Sequence, residues 1–235
     1  MPERTDTAEA TGASIPRAEI AVFAHELRGA LTVIAGYGDM LRRPLDEAER
    51  LQALDGIRRA VSRADSLCSD VLAGRRAGGA DVERREPLDV AELVTHVAEE
   101  QRAATGRTIL AETAAGLRVI GDGAALARIL TNLITNAAKY SPAETTVDVR
   151  AWRDDTFEFV PTVVIEVSDR GPGIPPEERE RLFSPFQRLE RDADIPGTGL
   201  GLSVVRDVAE AHGGDAVIRE REGGGTTVRV ELPAA

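Results

Sequence analysis

A histidine followed at once by a glutamate, His25-Glu26, stands in a stretch whose apolar residues recur at every third or fourth position. On a helix, Ile20, Ala24, Leu27, Leu31 and Ile34 gather into one arc and His25 falls roughly 150° from its centre, which turns the imidazole toward solvent. Neutral imidazole is nucleophilic near physiological pH, and an adjacent carboxylate can take the other ring proton as an electrophile is attacked. An incidental surface histidine beside an ordinary surface carboxylate fits the pair equally well.

Farther along, Arg128 to Tyr140 reads as a helix with Asn132, Asn136, Lys139 and Tyr140 on neighbouring turns of one side. An Asn carbonyl suits magnesium and a Lys ammonium neutralises phosphate oxygens, although a solvated helix face has the same look. Lys139 is the only lysine in the chain, so a compact point charge stands here where arginine serves elsewhere. Next, Val167-Ser168-Asp169-Arg170-Gly171-Pro172-Gly173 runs an apolar strand into Asp-X-Gly-X-Gly. A buried ionised Asp accepts hydrogen bonds only, so it selects the exocyclic amine of adenine over the carbonyl of guanine. Gly173 lets a ring approach the backbone. Then Gly197-Thr198-Gly199-Leu200-Gly201 opens an apolar-periodic helix, and glycines before a helix start expose N–H groups to phosphate. Each group alone is a weak signal. Their order, an Asn/Lys helix, an Asp-Gly strand end and a Gly-rich helix start, is stronger.

The elements that position these residues fall into two parts. Residues 1–15 lack apolar periodicity and read as a disordered lead. Residues 16–73 read as an antiparallel helical hairpin, with Asp46 as a plausible N-cap of the second helix. Leu54, Val61 and Cys68 are spaced by seven, as are Ile57, Ala64 and Val71, the pattern of a bundle. A lone hairpin leaves an apolar face open, and a second copy would cover it as a dimeric four-helix bundle. Residues 74–85, with Gly74, Gly78, Gly79 and several arginines, read as a linker. From 86 to 235 the patterns alternate: helices over Val90 to about Arg102, Gly123 to Tyr140 and about Leu200 to Ala211. Strands fall over Val163 to Val167, Asp215 to Arg219 and Thr226 to Leu232. This mixture implies an α/β sandwich.

The 235 residues, 42% of them hydrophobic, suffice for real cores. A net charge of -11 repels phosphate backbones and anionic lipid, which disfavours nucleic acid and membrane surfaces as partners. Cys68 is the only cysteine, so there is no internal disulfide and no cysteine metal cluster. No apolar run approaches the roughly 18 residues of a membrane span, and no basic-then-apolar leader is evident. Together these point to a cytoplasmic protein without membrane insertion.

The segment Phe23-Ala24-His25-Glu26-Leu27-Arg28-Gly29-Ala30-Leu31, continuing to Tyr37, closely resembles the phosphoacceptor box of bacterial sensor histidine kinases. The three downstream groups resemble the nucleotide boxes of the ATP-binding domain shared by histidine kinases, gyrase, the Hsp90 chaperone and MutL proteins. Arg181-Leu182-Phe183-Ser184-Pro185-Phe186 looks like the aromatic box of the histidine-kinase lid, and His212-Gly213-Gly214 also matches. The resemblance implies ATP and Mg2+ as cofactors, His25 as the phosphorylated residue and Glu26 as its assistant. Asn136 would hold magnesium, Asn132 and Lys139 would contact phosphates, and Tyr140 would line the pocket. Asp169 and Gly173 would take adenine, and Gly199 and Gly201 would approach the phosphates. Gly171, Thr198 and Leu200 belong to the same boxes, and 172–198 would form a mobile lid.

The expected partners are a response regulator receiver domain, whose aspartate receives the phosphoryl group, and a second copy of the chain; for the input a separate sensor or regulatory protein, the amino terminus, and a longer chain of which this is a fragment all stay open. Two positions depart from the family pattern. Gly29, which has no side chain, stands where the family has the Thr or Asn that orients water for dephosphorylating the partner, and Ala30 stands where Pro is usual. The expected result is a straighter helix and weak phosphatase activity. A phosphotransfer protein with a decayed ATP domain, and the serine kinase branch acting on anti-sigma antagonists, are the competing readings. The nucleotide boxes, intact at Asn136, Asp169, Gly173, Gly199 and Gly201, argue against the first, and the helical pair with its His-Glu box against the second.

Overall fold

The structure, a computed structural model, describes residues 17–77, 85–156, 161–192, 195 and 197–235. Side chains at 17–23, 25–26, 62–63 and 65–77 lie outside that description, as do the expected disordered lead and most of the expected linker. Helix α1 (Arg17–Met40) passes unbroken through Gly29 and Ala30. This agrees with the absence of a proline that would remove a backbone bond and clash with the preceding turn. Helix α2 (Glu47–Ala77) starts at a reciprocal cap. The Asp46 carboxylate accepts from the Glu49 N–H (2.8 Å), and the Glu49 carboxylate accepts from the Asp46 N–H (3.1 Å). The helix runs on to Ala77, past Gly74, where the loss of apolar rhythm suggests a linker. Arg75, Arg76 and Ala77 are strong helix formers, and propensity carries the helix over one glycine.

Small side chains make the seam between α1 and α2. Ala30, Ala53 and Ala60 are buried, and a Cβ added to Gly56 would lie 2.2 Å from Cε2 of Tyr37. Tyr37 therefore fills the notch that Gly56 leaves, and the helices approach closely there. Leu54 and Val61, on the seven-residue line, instead remain about half exposed, as do Leu31 and Leu51.

The remainder is a sheet backed by helices. Strands β1 (Glu86–Asp89) and β3 (Arg118–Gly121) form a small antiparallel ribbon. Strands β2 (Ile109–Thr113), β4 (Val147–Asp154), β5 (Thr162–Ser168), β6 (Asp215–Glu220) and β7 (Thr226–Pro233) form a five-stranded sheet in the order β2-β4-β5-β7-β6. Only the β2–β4 pair is parallel, with Ile109 opposite Val147. Helices α3 (Val90–Thr105), α4 (Gly123–Tyr140) and α6 (Gly201–Ala211) bury Val94, Leu126, Leu130, Ile134, Val204 and Val208 in one core with Val149, Ile165, Ile218 and Val230. Helices α3 and α4 each begin on an aspartate, Asp89 and Asp122, whose carboxylate accepts from two first-turn N–H groups. The expected α/β sandwich is present. Strands β1 to β4 go beyond the strands expected from sequence.

Arg107 secures the end of α4. Its guanidinium donates to the carbonyls of Ala138 (3.0 Å), Ser141 (3.1 Å) and Thr145 (3.1 Å) and to the Ser141 hydroxyl (2.8 Å). The bond to Ala138 satisfies a last-turn carbonyl of the helix, those to Ser141 and Thr145 fasten the loop that follows, and the charge complements the negative helix end. Arg107→Ala is expected to lower unfolding stability by about 2–3 kcal/mol, because it strips charge-assisted bonds from part-buried carbonyls. Urea denaturation of the purified chain checks this.

Candidate functional site

Helix α4 reaches the site because its apolar stripe, Leu126, Ile129, Leu130, Leu133 and Ile134, is buried against the sheet. That docking turns the polar side, Asn132, Asn136, Lys139 and Tyr140, into a cavity of about 310 Å³, near the lower end of the roughly 300–1,000 Å³ typical of small-molecule sites. Asp169, just past the end of β5, forms another wall with Gly173, and Thr198, Gly199 and Gly201 a third. Three segments separated in sequence thus converge, as the spacing of the boxes implies. Gly171 and Leu200 do not line the cavity. Gly171 sits behind it, where a Cβ would lie 2.6 Å from the Tyr140 carbonyl oxygen, and Leu200 is buried at the start of α6. His25 and Glu26 lie within α1, and their side chains fall outside the described residues.

Asp169 is buried and tightly held. Its Oδ1 accepts from the Gly171 N–H (2.7 Å) and the Thr226 N–H (3.2 Å), while its own N–H donates to the Thr226 carbonyl (2.8 Å). Burial pushes its carboxyl above the usual carboxylate range, and these backbone donors oppose the rise only in part. Thr226 also lines the cavity. Sequence reading assigned it to a closing strand and missed this role, although the preceding Gly223-Gly224-Gly225 carries the signal. A Cβ at Gly225 would sit 2.1 Å from the Asp169 carbonyl oxygen, and the φ there is +108°. Only glycine lets the β6–β7 turn press against the aspartate.

At the opposite end, Lys139 Nζ lies 3.1 Å from the Tyr140 hydroxyl. The Asn132 Nδ2 is buried without a hydrogen-bond partner, a costly state for an amide unless something entering the cavity satisfies it. A Cβ at Gly197 would come within 2.3 Å of Lys139 Nζ, and one at Gly201 within 3.4 Å of Asn136 Nδ2. The glycines therefore keep open the space beside the lysine and the two amides. Amide groups, one ammonium and bare backbone around an open volume fit polyphosphate with a hard divalent cation.

The segment over the cavity differs from the expected mobile lid in its first part. Helix α5 (Pro176–Arg179) leads into a 3₁₀ turn at Arg181–Phe183, and Leu182 and Phe183 are buried. Its root is packed because these two apolar side chains join the core. Beyond it, Gln187, Arg188 and Arg191 reach the cavity wall, residues that sequence reading did not assign to binding. His212 is the C-cap residue of α6, and its ring is buried, with Nδ1 2.7 Å from the Val208 carbonyl and Nε2 accepting from the Asp122 N–H (3.1 Å). The ring thus ties the end of α6 to the start of α4.

Comparison with known proteins places this geometry. Residues 17–78 match the model of the His Kinase A phospho-acceptor domain, and residues 121–235 that of the histidine kinase-, DNA gyrase B- and HSP90-like ATPase. A solved structure of the mycobacterial sensor histidine kinase MprB is 32% identical, with a TM-score of 0.56 over 64% of this chain and 97% of that one. The chain belongs to the sensor histidine kinase family. The signal transduction histidine-protein kinase/phosphatase MprB of Mycolicibacterium smegmatis is 34% identical over 86% of this chain and 41% of its own length. The sensor protein KdpD of Escherichia coli is 30% identical over 93% of this chain and 24% of its own. The chain therefore spans less than half the length of either relative. Full-length ShkA, solved in complex with AMPPNP, matches with 25% identity and a TM-score of 0.65 over 94% of this chain and 46% of that one. Among the described residues, no helix is long and apolar enough to cross a membrane.

Proposed function

We propose that this chain is an ATP-dependent protein histidine kinase that phosphorylates its own His25 and passes the phosphoryl group to an aspartate of a response regulator. The observation that carries the reading is the single cavity shared by the Asn/Lys face of α4, the buried Asp169 and the glycine-rich start of α6. In it, Asp169 accepts from the adenine amine, Gly173 gives the ring room, and Lys139 and Asn132 meet the phosphates. Thr198, Gly199 and the start of α6 offer backbone N–H groups to the phosphate chain. Asn136 would hold Mg2+, which when bound neutralises phosphate charge.

A ring nitrogen of His25 attacks the terminal phosphorus, the bond from phosphorus to the bridging oxygen breaks, and ADP leaves. Glu26 takes the proton from the other ring nitrogen. In the second step a receiver carboxylate attacks the same phosphorus and the nitrogen–phosphorus bond breaks. The part of residues 74–85 that follows α2 would act as a hinge between a phosphoacceptor domain at 16–73 and a catalytic domain at 86–235. The half-exposed Leu31, Leu51, Leu54 and Val61 support a second copy completing a four-helix bundle. The setting in this proposal is cytoplasmic, and a separate sensor or regulatory protein is one route for the input.

The test is incubation of the purified chain with radiolabelled ATP. Label that needs magnesium and is acid-labile but alkali-stable is the expected outcome. ATP binding without label would move the chain to a phosphotransfer role, and an absence of both would sink the proposal.

Gly29 bears on the reverse reaction. A Cβ added there meets nothing within 4 Å, so Gly29→Asn fits without a clash and removes a helix-interior glycine that costs about 1 kcal/mol. Phosphatase activity of the parent chain is weak in this proposal, for want of a side chain to orient water. Gly29→Asn is expected to keep self-labelling and to speed loss of partner aspartyl phosphate in the presence of ADP. Rapid loss with the parent chain would sink the idea.

A further inference from the structure

We propose that Arg206 is a positioning residue for the phosphoryl transfer, clamping the root of the lid onto the helix whose first turn faces the phosphates. The functional half of this inference rests on the kinase reading above; the clamp itself is read from geometry. Arg206 stands on α6, five residues after Gly201. Its guanidinium lies 3.7 Å from the centroid of the Phe183 ring. Both terminal nitrogens fork onto the Glu180 carboxylate, with Nη2 3.2 Å from Oε2, and Nη2 also donates to the Ala216 carbonyl at 2.9 Å. Asp215 lies 3.8 Å from Nε. One side chain thus joins the lid root, α6 and β6.

The burial of the partners shows what the joint is for. The Arg206 side chain is 18% exposed whereas Glu180 is 82% exposed, so the arginine is built into the protein and reaches out to catch the lid. A planar guanidinium can stack on a ring and fork to a carboxylate at once, which an ammonium cannot do. The hydrogen bond from Arg206 holds the Glu180 carboxyl below its ordinary range, in keeping with a formed pair. Phe183 is buried beneath the guanidinium, and its neighbour Leu182 lines the cavity. Motion of the lid therefore begins after Phe183. The far limb is held as well: Phe186 adopts a left-handed φ of +61°, and a Cβ at Gly199 would lie 2.7 Å from its carbonyl carbon. Gln187 and Arg188, which line the cavity, follow directly after this second point. The clamp fixes the pivot from which they are carried, and so the alignment of the terminal phosphate more than the binding of adenine.

The experiment compares the full chain with Arg206→Gln, Arg206→Lys and Glu180→Gln. Hydrogen exchange is read without nucleotide, and ATP affinity and self-labelling kinetics are read with it. The amides of Phe183 and Ser184, which donate to Glu180 and Arg181, should exchange about tenfold faster in Arg206→Gln, with α4 unchanged. The rate of labelling at saturating ATP should fall about tenfold while KM moves less than about threefold. Glu180→Gln, at an exposed position that leaves the fold intact, should show a smaller change of the same kind. Arg206→Lys should recover only part of it. Unchanged exchange at the lid root in both Arg206→Gln and Glu180→Gln overturns the clamp. So does uniform acceleration through α4 and β5, which marks a loss of global stability, and so does full rescue by lysine. A wild-type chain that neither binds ATP nor takes label overturns the kinase reading and the catalytic role with it, while the exchange data still judge the clamp.

Discussion

Asp169→Asn is expected to weaken ATP binding by about 100-fold or more while making the nucleotide-free chain more stable at neutral pH. The two effects share a cause. The Asp169 carboxyl is buried, and burial raises its affinity for a proton above that of the unfolded chain. Between the ordinary carboxylate range and that raised value, the folded state holds the extra proton. Stability therefore falls as pH climbs through this window and stays lowered above it. Asparagine carries no charge to desolvate, and its carbonyl oxygen can still accept the N–H groups of Gly171 and Thr226. Its amide nitrogen, however, presents a donor where adenine also presents one. Calorimetric titration with ATP and thermal melts from pH 4 to pH 8 would measure both. The melting advantage of the variant should be largest at neutral pH and shrink as pH falls toward the carboxylate range. A variant that binds ATP as wild type does would remove Asp169 from the adenine site, whatever its stability.

His25→Ala is expected to abolish self-labelling and leave ATP affinity within about twofold of wild type, because lost nucleophilic chemistry removes turnover without removing ground-state binding. The residues lining the cavity all lie between Asn132 and Val228, so the substitution touches none of them. Asn136→Ala, by contrast, should lose labelling because the nucleotide end of the site is damaged. Filter-bound label and calorimetry on the same preparations separate the two failures. Mixing the variants adds information: label regained in a mixed dimer would mean transfer between subunits. Residual acid-labile label in His25→Ala would place the phosphoacceptor elsewhere.

Much of the site was legible because its signals are local. The period of α4 and the positions of Asn132, Asn136, Lys139 and Tyr140 follow from spacing on one helix, and the helix begins and ends as expected from Gly123 to Tyr140. Asp169 reads as buried because it follows a strand, Val163 to Val167, that is apolar except at Glu166. The cap at Asp46 is likewise a matter of four adjacent residues. Strands β1 to β3 were not legible. They are four or five residues long, and β2 exists through its parallel pairing with β4, a partner distant in sequence. Short segments of this kind acquire strand geometry from their neighbours more than from their own propensity.

The amino-acid sequence by itself determined which side chains could perform chemistry and on which face of each element they stand, since both depend only on residue type and backbone period. Tertiary structure decided how those faces meet. It chose Ala53, Gly56 and Ala60 for the seam within the hairpin and left Leu54 and Val61 outward, because close approach of two backbones rewards small residues over large ones. It brought Thr226 to Asp169 and Arg206 to Phe183 through contacts between segments far apart in sequence. Such contacts leave no periodic trace, and they depend on where the sheet and its helices place each backbone.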